Sequence, residues 1–359
     1  MNLGIYLPHL YHWPAVRPLY REARRQGWTA VVVPGPSRVR RWGVIPVSRQ
    51  HQLLQALRSE GVEAQAAFPE AVDVWVTTDF VKDPARFGGR PLVLVNHGTG
   101  FKSVMYRFLR RQRAVPYHLM VEGPFRAEKI QREVGEGAYR VHVVGYIKLD
   151  PYPTMQARRS TLLAQWGLDP ERPTLLYAPT YKPTSIFQLG EGVLQATRAF
   201  NLLIKLHPYS WEGKYAPHRH HRFYEERMAR YPHARLVPPE DRDILPFLVM
   251  ADAVLTEASS VAFEFAAVGK GVIFVDLPGD LRHSDGEPLL THSPRTLFAG
   301  AFPVIQEAAE IPGALETVLN PPEDMQAQQE AVRRRLFLPV DGQAARRALE
   351  VIRTWFARL

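Results

Sequence analysis

Short apolar runs closed by turn residues recur along this chain, and amphipathic stretches of helical length separate them. Leu3–Leu7, Ala30–Val33, Val72–Val76, Leu92–Val95 and Val141–Val144 read as strands, with covering helices at Pro14–Gln26, Arg49–Ser59, Gly100–Gln112 and Pro124–Val134. Strand and helix in alternation imply a mostly parallel sheet. After Asp150 the chain runs Pro-Tyr-Pro, which discourages helix on either side and marks a boundary. A second series follows, with strands expected at Thr174–Ala178, Leu202–Leu206, Ala234–Val237, Ala253–Thr256 and Val272–Val275. Helices are expected near Met155–Trp166, Gly192–Ala199, Arg222–Arg230, Ile244–Met250 and Ser260–Val268, and then at Ile305–Leu319, Met325–Leu336 and Gln343–Arg358. The reading is α/β, with two doubly wound domains over 1–150 and 151–342 and a closing helix over 343–359 that packs back on the first.

Composition narrows the chemistry. A chain of 359 residues exceeds what one core usually sustains, and 46% apolar with 23% charged residues is a globular balance. With no cysteine, disulfides, thiolate nucleophiles and Cys-ligated zinc are excluded. No apolar run is long enough to cross a bilayer and the start lacks a secretory pattern, so a cytoplasmic protein is expected. A net charge of +9 and a pI near 9.7 favour anionic partners: nucleotides, phosphopolymers, anionic lipid or nucleic acid.

In open sheets of this kind ligands bind beyond the carboxyl ends of the strands, so polar residues just after an apolar run are the candidates. Leu92–Val95 leads through Asn96 into His97-Gly98-Thr99-Gly100, followed by Lys102. An imidazole there suits a general base, and the glycines let backbone N–H groups approach an anion. A histidine that merely caps the turn is the plain alternative. A second apolar run ends in His207-Pro208, where an imidazole N–H would bond a diphosphate oxygen and stabilise the leaving nucleotide. Ala253–Thr256 leads into Ser259 and Ser260, preferred residues for a helix start that binds phosphate, with Glu264 one turn further on and suited to ribose hydroxyls. An ordinary capped helix with an exposed Glu would look the same. Lys148 and Thr180, after two further strands, are candidate phosphate contacts, and Asp150 suits the interdomain turn.

Taken in order, these blocks resemble the CDP-glycerol glycerophosphotransferase family of teichoic-acid and capsule polymerases and primases. The matching segments are His97–Lys102, Gly145–Asp150, Tyr177–Thr180, His207–Pro208 and Ser259–Phe265, with a looser match at Asp341–Arg346 to the family's DGxAxxR segment. The first ninety residues carry no such motif. Two departures stand out: Asn96 where the family often has Trp, and Ile147-Lys148 where it often has Pro-Arg, which loses the bidentate guanidinium fork.

The resemblance implies the GT-B architecture, two Rossmann-like domains with a donor cleft between them and the nucleotide held mainly by the second. It further implies His97 as general base, diphosphate contacts from His207, Ser259, Ser260 and Thr180, and Glu264 near the ribose. The acceptor hydroxyl would attack the β-phosphorus of a CDP-alditol and release CMP in cell-envelope polymer synthesis. No cofactor and no metal is demanded by this reading. The acceptor would be polymer- or lipid-linked. Three basic clusters, Arg17/Arg21/Arg24/Arg25, Arg38/Arg40/Arg41 and Arg107/Arg110/Arg111/Arg113, suit an anionic membrane surface at the inner leaflet, or equally plain solvated faces. The run His218-Arg-His220-His221 lacks a ligand scaffold and reads as an exposed loop. A sugar-nucleotide glycosyltransferase or UDP-sugar 2-epimerase-like enzyme is the alternative on the same fold; a nucleic-acid-binding module has no supporting motif.

Overall fold

The structure is a computed structural model that describes all residues except 36–37, 42–44, 49, 99, 101–102, 212–219, 278–287, 291, 299 and 357–359. The chain divides into two units: Met1–Gly98 with Met105–Pro151 and Leu336–Leu359, and Thr99–Val104 with Tyr152–Arg335.

The first unit is built on strands β1 (Asn2–Leu7), β2 (Thr29–Pro34), β5 (Val74–Thr77), β6 (Leu92–Val95), β7 (Tyr117–Val121) and β8 (Arg140–Val143), all parallel, in the order β2-β1-β5-β6-β7-β8. A two-stranded antiparallel hairpin, β3 (Arg38–Arg41) with β4 (Ile45–Ser48), stands apart from it. Alternate side chains divide the sheet's faces. Leu3, Ile5, Leu7, Val32, Val76 and Val95 enter one apolar core; Val31, Val33, Trp75, Leu92 and Leu94 enter the other. Both faces are thus covered, which is why these strands read as continuous apolar runs. At Gly4 a Cβ would stand 2.5 Å from the Trp75 ring, so glycine leaves the room that the indole occupies.

The helix Trp13–Arg25 buries Trp13, Val16, Leu19, Tyr20 and Ala23, the spacing of one helical face. Against it, in the same core, pack Ala344, Ala345, Ala348, Leu349 and Ile352 of the helix Ala344–Phe356. Truncating a side chain such as Leu349, fully buried here, to alanine costs about 2–5 kcal/mol in cores of this kind.

The second unit repeats the plan with β9 (Thr174–Tyr177), β10 (Asn201–Ile204), β11 (Ala234–Leu236), β12 (Ala253–Thr256), β13 (Gly271–Val275) and β14 (Val304–Ile305), parallel and ordered β11-β10-β9-β12-β13-β14. Here the strand order reverses between β9 and β12; in the first sheet it reverses between β1 and β5. Such switch points open a crevice at the carboxyl ends of the flanking strands.

Several expectations shift. β7 and β14 fall where no strand was expected, β14 occupying the start of the expected helix Ile305–Leu319, which begins at Ile311. The helix expected over Gly100–Gln112 spans Val104–Arg111, with 101–102 outside the described residues. In the histidine run, 218–219 lie outside the described residues, whereas His220 is buried and begins the helix His220–Glu225. Its Nδ1 lies 3.1 Å from Ser210 Oγ, so that end of the run is not an exposed loop.

Candidate functional site

In the first unit the candidate base sits at the switch point. β1 runs out into His9–His12, β5 into Thr78 and Asp79, and β6 into Asn96 and His97. Asn96 turns the chain by accepting the Gly98 N–H on its side-chain oxygen at 3.1 Å. Nδ1 of His97 lies 3.0 Å from the Thr78 carbonyl oxygen. A carbonyl only accepts, so Nδ1 carries the proton and Nε2 is the basic nitrogen. The His12 ring stacks on His97 with centroids 3.6 Å apart and planes 7° from parallel. Nδ1 of His12 meets Thr78 Oγ1 at 3.0 Å. Burial pushes the His97 pKa down; Lys148 and His9 push the same way, while Asp79 and the Thr78 bond oppose. Lys148 therefore acts electrostatically beside His97 in the first unit.

In the second unit Thr180, His207 and Ser259–Ser260 follow β9, β10 and β12, again around the switch point. His207 Nδ1 accepts the Tyr209 N–H at 3.1 Å, which leaves the imidazole proton on Nε2. Tyr181 and Tyr209 flank the ring, with centroids at 4.5 and 5.2 Å. Ser259 is the N-cap of the helix Ser260–Ala267 and accepts the Val261 N–H at 3.3 Å. Gly100 joins this end: a Cβ on it would stand 3.8 Å from Ser260 N, so the glycine loop approaches the helix start closely. Thr99 and Lys102 lie outside the described residues.

Glu264 is fully buried rather than exposed, so its carboxylate lies beneath the helix start and not on its surface. Thr180 donates its hydroxyl to the Pro183 carbonyl and its N–H, at 2.7 Å, to Glu257. Glu257, buried at 1% exposure, also accepts the Ser185 N–H at 2.5 Å and so pins the turn after β9. Among the described residues no group of three or more His, Asp or Glu side chains is placed to hold a metal ion.

Two of the motif segments turn out to be partners of each other. The Asp150 carboxylate accepts the N–H groups of Ala344 and Ala345 at 2.9 and 2.7 Å, capping the helix Ala344–Phe356. Arg347 Nε donates to the Val144 carbonyl at 2.7 Å, and its two Nη atoms hold Asp341 at 2.8 and 3.1 Å. The arginine of that segment is therefore Arg347; Arg346 is exposed and pairs with Glu350 at 3.2 Å. Gly145 sits at φ +99° with Arg347 packed where a Cβ would be, so no other residue fits the turn.

His12, Thr78, Asp79 and Glu257 were not among the expected site residues. Glu257, Thr78 and Asp79 had a local signal, since they follow strands directly; His12 had none. The chain is similar to solved structures over its whole length. The wall teichoic acid polymerase TagF shares 14% identity at a TM-score of 0.68, the match covering 100% of this chain and 89% of that one. UDP-GlcNAc 2-epimerase from Neisseria meningitidis shares 12% at 0.61, covering 99% and 100%, and a glycosyltransferase from Rickettsia africae 12% at 0.54, covering 98% of each. These likenesses establish the fold, GT-B-like with two parallel six-stranded sheets. No protein of curated function matches the sequence. The model of CDP-glycerol:poly(glycerophosphate) glycerophosphotransferases matches residues 74–354, from β5 to the helix that Asp150 caps, and this transferase belongs to that family.

Proposed function

We propose that this transferase moves glycerol phosphate, or a closely similar alditol phosphate, from a CDP-alditol to a hydroxyl of a polymer- or lipid-linked acceptor in cell-wall polymer synthesis. His97 Nε2 takes the proton of the acceptor hydroxyl, whose oxygen attacks the β-phosphorus. The bond from that phosphorus to the bridging oxygen breaks, and CMP departs with the electron pair. His207 Nε2–H donates a hydrogen bond to the diphosphate as charge builds there. The N-terminus of the helix Ser260–Ala267, with Ser259, Ser260 and the backbone of Gly100, supplies further donors, while the Gly98 N–H is held by Asn96. Lys148 adds positive charge near the phosphates, whereas Thr180, with its hydroxyl and N–H both donated within the protein, and the fully buried Glu264 shape the turn and the helix beneath them.

The observation that carries this reading is the opposite protonation of the two imidazoles. Thr78 leaves His97 basic at Nε2, and the Tyr209 N–H leaves His207 with its proton there. One ring suits accepting a proton and the other suits donating a hydrogen bond. A solved form of the TagF polymerase is a variant soaked with CDPG. Among the described residues no helix is long and apolar enough to cross a membrane. Arg21 and Arg111, exposed and without an acidic partner among the described residues, suit peripheral contact with anionic lipid.

His97→Ala tests the base. It should lower turnover by about 10²-fold or more while CDP-glycerol affinity by calorimetry holds; near-normal turnover overturns the assignment. A thermal-shift panel of CDP-glycerol, CDP-ribitol and UDP-GlcNAc tests the donor, since a ligand of the folded state raises the melting temperature. Stabilisation by UDP-GlcNAc alone would favour the epimerase-like alternative.

A further inference from the structure

We infer that His12 is a positioning residue for His97, clamping the base through Thr78, an inference that rests on the reading of His97 as the base. His12 closes the short turn Leu10–His12 at the end of β1 and is 1% exposed. Two contacts define the clamp. Ring on ring, 3.6 Å apart and 7° from parallel, His12 blocks rotation of the His97 imidazole about its own side-chain bond. Through Nδ1 it also holds the Thr78 hydroxyl at 3.0 Å, and the carbonyl of that same residue receives His97 Nδ1–H at 3.0 Å. Thr78 thus secures both rings, one by its hydroxyl and one by its backbone.

This arrangement explains why a histidine serves where any flat apolar ring would stack. Phenylalanine would fill the space without reaching Thr78, leaving the plate free to slide. With the clamp in place His97 presents a single nitrogen in a single direction, which is what proton abstraction demands. Other groups surround the pair. Tyr11 lies edge-on to His97 at 6.1 Å and His9 edge-on to His12 at 5.2 Å; Asp79 raises the His97 pKa, whereas Lys148 and His9 lower it. His12 lies outside residues 74–354, the span that the family model matches.

The test compares His12→Ala, His12→Phe and Thr78→Val. His12→Ala should lower kcat by about 10- to 100-fold, the loss expected of a misplaced catalytic group, with KM for CDP-glycerol nearly unchanged. His12→Phe, which restores the plate without the bond, and Thr78→Val, which removes the hydroxyl and keeps the carbonyl, should fall between. Nitrogen-15 spectra of His97 give a readout that ordinary destabilisation does not move: one Nδ1–H form in the parent protein, a mixture in His12→Ala. A folded His12→Ala protein with parental kcat and a single His97 form overturns the inference. Loss of kcat in all three variants without any change at His97 overturns it equally, since His12 would then be merely structural. If His12→Ala does not fold, His12→Phe and Thr78→Val decide by the same two measurements. Should His97→Ala retain turnover, the base assignment falls, yet the spectra still report whether the clamp exists.

Discussion

The Asp150 carboxylate accepts a 2.7 Å hydrogen bond from the backbone N–H of Ala345, a residue 195 positions further along the chain. Removing it leaves two N–H groups of a helix start without their cap. Asp150→Ala should therefore cost about 1–3 kcal/mol of stability in urea denaturation, while the affinity of the folded protein for CDP-glycerol stays at the parental level. A variant that loses donor affinity at full stability would give Asp150 a role in binding instead.

The same carboxyl makes stability depend on pH in a particular direction. Burial pushes its pKa from 3.8 up to about 6, against the pull of the Ala345 and Ala344 bonds and of Arg347. Between those values the folded protein holds a proton that the unfolded chain has released, so stability falls as pH rises through the window. Asp150→Asn should flatten that part of the curve. Denaturation midpoints at half-unit pH steps, parent against variant, are the measurement, and an identical slope in both would refute the assignment.

For catalysis the relevant shift has the other sign. Burial holds the His97 pKa below the usual imidazole value of 6.5, so its neutral form persists to lower pH than that of a free imidazole. The acidic limb of kcat/KM should have its midpoint below 6.5. Lys148→Met, which takes away a neighbouring positive charge, should move that midpoint upward, and Asp79→Asn should move it downward. Shifts in the reverse directions would show that another group titrates.

Glu257 governs the second unit's turn after β9 in a similar way. Glutamine offers one acceptor oxygen where the carboxylate offers two, so Glu257→Gln must strand either the Thr180 or the Ser185 N–H. A stability loss of about 1–3 kcal/mol is expected, together with weaker CDP-glycerol binding as the turn loosens. Calorimetry on the folded variant separates the two effects; unchanged affinity would confine Glu257 to stability.

Most of the fold was legible because strands covered on both faces are written as unbroken apolar runs, as in Leu92–Val95 and Ala253–Thr256. β7 escaped because Tyr117-His118 opens it with polar atoms, and β14 because two residues carry no periodicity. The strand-end residues His97, His207 and Ser259 were legible from position alone. His12 was not: it precedes its helix amid other aromatic residues, and only the adjacency of β1 to β5 brings it to Thr78. The plain alternative of an exposed Glu264 falls, because helical spacing names a face without naming what covers it, and Glu264 is fully buried.

The helix Ala344–Phe356 shares its core with Leu3, Ile5 and Val16, and this bears on synthesis. A ribosome delivers β1 and the helix Trp13–Arg25 long before their partner Leu349 exists. Throughout translation of the second unit the nascent first unit lacks that covering helix, and the apolar face it fills stays open until the last residues emerge.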